Sequence, residues 1–353
     1  MQQVLVTCRA GLESDIAAEL QTRSAAVGVH GFVRAQAGEG YVIFEGYQPD
    51  GGELLLQRLR FSDLIFARQW LLVIAHLQEL PPGDRITPIV QAYADAPAFG
   101  DCWLTFPDTN EGKGLSRLTT KLEKPLGGAL KKIQGKNADS APWIAHVFFV
   151  TGDDMWVGIT PRKNAAPWAT GYPRLRQPPS APSRSTLKLE EAWLQLIPEH
   201  LRSVYIKPFQ KAVDLGAAPG GWTWQLVHRG LQVVAIDNGP MDKMLMDSGQ
   251  VTHLREDAFH YKPPRQVDWL VCDMVEKPAR VAELMQRWLT KGWCRFAIFN
   301  LKLPMKKRWQ EVDLILTRVR GELDAAGIEY RLAARQLYHD REEITVFVGP
   351  KES

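Results

Sequence analysis

Lys211-Ala-Val-Asp-Leu-Gly-Ala-Ala-Pro-Gly-Gly-Trp-Thr-Trp224 decides how this chain of 353 residues is read. Val213 to Leu215 read as the end of a buried strand. Gly216 to Gly221 read as a tight loop of small residues, and Trp222 onward as a helix that stops at Gly230. A glycine loop between strand and helix lets a ligand approach the backbone closely, with the helix N-terminus behind it. The loop lacks the Gly-x-Gly-x-x-Gly spacing of a dinucleotide site and the Gly-Lys-Ser/Thr of a P-loop. Pro219 removes a backbone donor, a poor choice for wrapping a pyrophosphate. Asp214, opening the loop, would repel phosphate but attract an ammonium or a sulfonium. These properties fit S-adenosylmethionine, whose amino-acid end is zwitterionic and whose sulfur is cationic. The plain alternative is a strand-turn-helix corner with no ligand.

Working outward, Leu231 to Asp237 is an apolar strand ending in an acid, 21 residues after Gly216. An acid there can accept both ribose hydroxyls of an adenosyl group. Val251 to Asp257 is the next strand, with Asp257 placed to accept from an adenine amino group. Val267 to Asp273 follows, then a helix from Lys277 to Leu289, a strand from Arg295 to Lys302 and a long helix to about Ala326. Tyr330 to Leu337 and Glu343 to Gly349 finish the chain as a hairpin. Upstream, Ser185 or Thr186 caps a helix that carries Lys188. Alternating strands and helices imply an α/β fold with a doubly wound, mostly parallel sheet. Ligands in such sheets sit beyond the carboxyl ends of the strands, where Gly216, Asp237, Asp257 and Asp273 all fall.

Length calls for two or more domains. A net charge of +3 gives no global preference for polyanions, so any basic surface is local. Cys8, Cys102, Cys272 and Cys294 are far apart, with no Cys-x-x-Cys pair, against a structural zinc or a disulfide framework. No metal is expected. The N-terminus lacks a basic start followed by a long apolar run, and no apolar stretch reaches membrane-spanning length. A soluble, cytoplasmic protein is the expectation.

The first half alternates short strands (Gln3 to Thr7, Gly31 to Val33, Tyr41 to Phe44, Phe66 to Ile74) with helices from Leu12 and Glu53, an α+β layer. Its most suggestive segment lies between Leu115 and Lys136. Six basic residues (Arg117, Lys121, Lys124, Lys131, Lys132, Lys136) face one acid, Glu123. From charge alone this reads equally as a phosphate-backbone contact and as a solvated helix face. Strands His146 to Val150 and Met155 to Thr160 provide a sheet for that helix. The proline-rich stretch Gly171 to Ser183 is a stiff connector.

Asp-Leu-Gly-Ala-Ala-Pro-Gly-Gly-Trp-Thr, from Asp214 to Thr223, resembles the cofactor loop of the FtsJ-type ribose 2'-O-methyltransferases. The resemblance covers nearly the whole chain and is strongest from Ser180 to Pro350. It implies a Rossmann-like methyltransferase domain over 185–353 and S-adenosylmethionine held by Ser185, Asp214, Gly216, Ala218, Pro219, Gly220, Gly221, Trp222, Asp237, Asp257 and Asp273. It also implies an RNA substrate, with 2'-O-methylation of a cytidine in 23S rRNA as the activity. The basic segment further resembles a THUMP domain, an RNA-binding module. The expected organisation is a ferredoxin-like part over 1–60, a THUMP-like domain over 61–170 and a linker over 171–184. RNA contacts are expected at 117–136 and at Lys306, Lys307 and Arg308, beside Trp309, in a chain that acts as a monomer. The competing readings are a 2'-O-methyltransferase for another RNA such as tRNA, and a non-catalytic RNA-binding assembly factor with a vestigial cofactor site.

The acceptor atom can be approached from absences. Enzymes that methylate base amines carry Asn/Asp-Pro-Pro-Tyr/Phe after the fourth strand, whereas this chain has Asp273-Met-Val-Glu276. Carbon methylation needs a nucleophilic cysteine, and Cys272 and Cys294 lie in or before apolar strands. An oxygen acceptor is left. The resemblance carries a Lys-Asp-Lys-Glu tetrad onto Lys188, Asp273, Lys302 and Glu343. Glu342 competes for the fourth place, since alternation lets only one of the pair face the site. Lys302 and Asp273 end adjacent strands and are expected side by side. Flanking carboxylates would raise the Lys302 pKa above the usual value of about 10.4, which favours charge stabilisation over general-base catalysis.

Overall fold

The computed structural model describes residues 1–133 and 140–351, and the chain divides into two compact units, Met1–Tyr172 and Pro173–Ser353. Lys136 lies outside the described residues. In the first unit the chain runs β1 (Gln3–Thr7), α1 (Glu13–Ala26), β2 (Gly31–Ala35), β3 (Tyr41–Gly46), α2 (Gly51–Arg58) and β4 (Gln69–Leu77). It continues as α3 (Ile86–Ala92), β5 (Phe99–Thr105), α4 (Asn110–Lys113), α5 (Ser116–Ile133), β6 (Trp143–Phe149) and β7 (Met155–Pro161). One seven-stranded sheet holds the strands, in the order β2-β3-β1-β4-β7-β6-β5. Because β4 pairs with both β1 and β7, hydrogen bonding runs straight across residue 60. Leu5, Ile43, Leu71, Val73, Phe148 and Trp156 form a core from both halves of that sheet.

β4 starts three residues later than the apolar run around Phe66 indicates. The reason is electrostatic. Glu19 is fully buried, and its carboxylate accepts from the backbone N–H groups of Ile65 (2.7 Å) and Phe66 (2.9 Å), so those donors never enter a ladder. In α5, Thr119, Leu126 and Leu130 are buried while Arg117, Lys121, Lys124, Lys131 and Lys132 are exposed.

The second unit runs α6 (Thr186–Leu196), α7 (Glu199–Tyr205), β8 (Lys211–Leu215), α8 (Gly221–His228), β9 (Gln232–Ile236), α9 (Lys243–Asp247) and β10 (Val251–Leu254). Then follow β11 (Val267–Cys272), α10 (Pro278–Thr290), β12 (Cys294–Lys302), α11 (Arg308–Ala325), β13 (Tyr330–Arg335) and β14 (Glu343–Pro350). The strand order is β10-β9-β8-β11-β12-β14-β13. β8 to β12 are parallel, and β14 runs antiparallel to both its neighbours. This is the Rossmann-like, doubly wound sheet expected from the sequence, closed by the hairpin. Strands covered on both faces read as continuous apolar runs, which is why they were legible. Trp193, Trp222, Trp269, Phe296 and Phe347 fill the core, with Trp269 stacked on Phe296 at 4.7 Å. Among the described residues no helix is long and apolar enough to cross a membrane.

Candidate active site

β8 ends against Gly216, whose N–H donates to the Ile236 carbonyl at 2.9 Å. The loop then turns through two left-handed glycines, Gly216 (φ +76°) and Gly220 (φ +116°), with a cis peptide between Ala218 and Pro219. A Cβ on Gly216 would lie 2.5 Å from Met274 Cγ, and one on Gly221 would overlap the hydroxyls of Ser183 and Ser185. Those two hydroxyls bond to each other at 2.7 Å. Asp237, just past β9, accepts from Ala218 N (3.0 Å) and Gly239 N (2.7 Å), so the acid expected to meet a ribose also ties down the loop. A carboxylate has about four lone-pair sites, leaving capacity for further donors. Asp257 is a rim residue with a half-exposed side chain, held by Phe259 N and His260 Nδ1, each at 2.8 Å. Trp222 is corrected: its side chain is 2% exposed and packs in the core, because it lies on the buried stripe of α8.

Asp214 is 1% exposed, and its Oδ2 accepts from Thr223 Oγ1 at 2.6 Å. Its Oδ1 is buried and makes no hydrogen bond among the described residues. Burial pushes this carboxyl up to about 7, with Asp273 and Asp237 adding to the rise and Thr223 opposing it. A buried acceptor without a donor, at the head of a loop that admits no Cβ, suits the ammonium end of S-adenosylmethionine. The residues fit the cofactor.

Beyond the ends of β11 and β14 lies a charged cluster. Lys188 Nζ, on α6, sits 3.5 Å from Asp273 Oδ1 and is ion-paired with Glu343 Oε1. Burial would strip the proton from Lys188, but Asp273 and Glu343 together outweigh it and hold the pKa above the ordinary lysine value. Burial raises Asp273, Lys188 lowers it and Glu343 raises it again, for a net increase. Glu343 faces the cluster while Glu342 is exposed. Burial also pushes the Cys272 thiol up to about 12, a core thiol rather than a nucleophile.

The carboxylates expected to flank Lys302 flank Lys188 instead. Lys302 is the Cα partner of Glu343 in the β12–β14 ladder and lines a cavity of about 510 Å³ with Val275, Pro278, Leu303 and Glu311. Asp273, the neighbour expected for it, is hydrogen-bonded to Asn300 Nδ2 at 2.8 Å. Asn300 was missed in the sequence. It is 2% exposed in an apolar run, two residues before Lys302 and so on the same face. Its Oδ1 accepts from Thr345 Oγ1 at 2.7 Å, and that hydroxyl lies 3.0 Å from Asp340 Oδ2. The same Asp340 oxygen accepts from Leu337 N at 3.0 Å, so the hydroxyl is shared between two buried acceptors. Burial, then the Glu343 charge, drives Asp340 well above the usual carboxylate range. Lys306 and Lys307 are exposed, but Trp309 is 3% exposed and belongs to the core, unavailable for stacking on a base.

A glycine loop fitted to a sulfonium donor, on a doubly wound sheet with a reversed seventh strand, defines an S-adenosylmethionine-dependent methyltransferase. Family comparison agrees: residues 181–312 match the FtsJ-like methyltransferase model, 1–71 the RlmM ferredoxin-like domain, and 84–160 the N-terminal model of ribosomal RNA large subunit methyltransferase M. The chain is 47% identical to the protein named ribosomal RNA large subunit methyltransferase M from Cellvibrio japonicus, over 99% of each chain. It is 49% identical to those named the same from Stenotrophomonas maltophilia (98% of this chain, 97% of the relative) and Klebsiella pneumoniae strain 342 (99% and 96%). The chain belongs to the ribosomal RNA large subunit methyltransferase M family.

Proposed function

We propose that this enzyme methylates the 2'-oxygen of a cytidine ribose in 23S rRNA, acting as a monomer in the cytoplasm. The observation that carries the reading is the cluster of Lys188, Asp273 and Glu343 beside the glycine loop, with Lys302 in register with Glu343. The name shared by the relatives supports ribosomal RNA as the substrate. RNA contacts are assigned to the exposed cations of α5, in a THUMP-like part of the first unit, and to Lys306–Arg308.

S-adenosylmethionine, when bound, supplies an electrophilic methyl carbon on a cationic sulfur. Asp214 and the loop backbone hold its amino-acid end, Asp237 its ribose and Asp257 its adenine edge. Lys302 provides the cation for the acceptor oxygen and stabilises the charge that develops as the hydroxyl proton leaves. Lys188 holds Asp273 and Glu343 in place beside that oxygen, and the hydroxyl proton passes to the Asp273 carboxylate late in the transfer.

The test is a map of ribose methylation in total RNA from a deletion strain carrying either the wild-type gene or Lys302→Ala. One 23S cytidine is expected to lose its 2'-O-methyl group in the deletion and to stay unmethylated with Lys302→Ala, while the purified variant still binds donor and RNA. Restoration by Lys302→Ala would favour the non-catalytic assembly factor. A missing methyl on tRNA or on a base atom would redirect the assignment.

A further inference from the structure

A second cavity, of about 450 Å³, shares Lys188 and Glu343 with the charged cluster but does not include Lys302. Its other functional walls are Arg184, just before α6, and Tyr338, His339 and Arg341 in the turn between β13 and β14. Lys188 adds little net charge, because Asp273 and Glu343 already offset it. Arg184 and Arg341 are different. Both are exposed, and neither makes an ion pair or a side-chain hydrogen bond among the described residues.

The turn that carries this wall is held rigidly. Glu191 on α6 is fully buried, and its carboxylate accepts from Tyr338 N (2.8 Å), His339 N (3.0 Å) and His339 Nδ1 (2.6 Å). With Nδ1 committed, the His339 Nε2 is the ring atom left for a ligand. Tyr338 is 36% exposed, and its ring stands edge-on to His339, with centroids 5.2 Å apart. Uncompensated guanidinium groups favour a phosphate, whose oxygens match their planar fork, and an exposed ring held by its neighbours offers a face to a base. The volume is in the range of small-ligand sites, about 300–1,000 Å³.

We propose that this cavity binds the nucleotide flanking the acceptor, its phosphodiester on Arg184 and Arg341 and its base against Tyr338. The inference rests on the reading of the chain as an RNA methyltransferase and assigns a subsite next to the reacting sugar. Sharing Lys188 and Glu343 with the cluster puts the bound nucleotide directly beside the acceptor.

The experiment is steady-state methyl transfer by the full chain to unmodified 23S rRNA, comparing wild type with Arg184→Ala/Arg341→Ala and with Tyr338→Ala and Tyr338→Phe. The double variant should raise KM for RNA about tenfold and keep kcat at saturating RNA. It should also lower the log–log salt slope of kcat/KM by about 0.7 for each phosphate no longer neutralised. Tyr338→Ala should raise KM about tenfold while Tyr338→Phe stays near wild type. Calorimetric affinity for S-adenosylmethionine should not change, which also reports that the variants are folded. Wild-type KM and salt slope in the double variant overturn the proposal. So does weakened donor binding with unchanged KM, which would give the cavity to the donor carboxylate. Methyl transfer to an atom other than a ribose oxygen sinks the proposed function, yet the same KM split still decides this cavity. If the wild type transfers no methyl at all, the split is read in RNA affinity by filter binding.

Discussion

Asp214 concentrates the chemistry of the loop in one carboxyl. Its pKa is about 7 in the fold against an ordinary 3.8, so between those values the folded chain keeps a proton that the unfolded chain releases. The contribution of this group to stability therefore falls as pH rises from 3.8 through 7, and is level above that. Donor binding runs the other way. An ammonium prefers the ionised carboxylate, so affinity for S-adenosylmethionine should climb from pH 6 to about 7 and then flatten. Asp214→Asn should bind the donor about tenfold more weakly at pH 8 and show no climb, because a charged hydrogen bond is replaced by a neutral one. Calorimetry at pH 6, 7 and 8 reads both; a climb that survives the substitution would belong to another group. Asp214 was legible from its place before the glycines. The partners of Asp273 were not: Lys188 reaches it across 85 residues and Asn300 across 27, distances that no local spacing encodes. Trp222 and Trp309 misled for a related reason, since an indole at a ligand loop and one in a core look alike until the helix face is known.

At the scale of elements, the glycine loop works because α6 and α8 approach so closely that a methyl group will not fit between them. Gly221, the first residue of α8, sits at that contact. Its missing Cβ would collide with Ser183 and Ser185 and come 3.1 Å from Thr186 N, the start of the helix that carries Lys188. Gly221→Ala should therefore push α6 outward, costing about 1–3 kcal/mol of stability. It should also weaken donor binding and methyl transfer together, since one displacement moves the loop and Lys188. Thermal unfolding alongside donor titration checks this; a variant that loses stability but binds the donor normally would separate the helix packing from the loop. The strands around this corner could be read from the sequence because each is apolar and buried on both faces. Elements in the first unit were harder. β5 and α3 mix exposed and buried positions without a clean period, and the start of β4 is displaced by the carboxylate of Glu19, which lies 46 residues from the first backbone group it captures.

Over the whole molecule the charge is nearly balanced, 43 basic against 40 acidic side chains, so affinity for RNA has to come from where the cations sit. α5 places Arg117, Lys121, Lys124, Lys131 and Lys132 at exposed positions while its apolar residues Leu126 and Leu130 are buried. None of the five makes an ion pair or a side-chain hydrogen bond among the described residues, so changing them should leave the fold intact. Replacing all five by glutamine should weaken RNA binding for every sequence alike and reduce the salt slope of binding. The reduction is about 0.7 per cation that neutralises a phosphate of a single strand, and so at most about 3.5 for the five. Affinity for S-adenosylmethionine should be unchanged, and kcat at saturating RNA should fall little, if these residues contribute to RNA affinity alone. RNA binding measured across 50 to 300 mM salt, with donor calorimetry on the same protein, reads each part. A wild-type salt slope in the five-fold variant would show that α5 is a solvated face and that the RNA is held elsewhere.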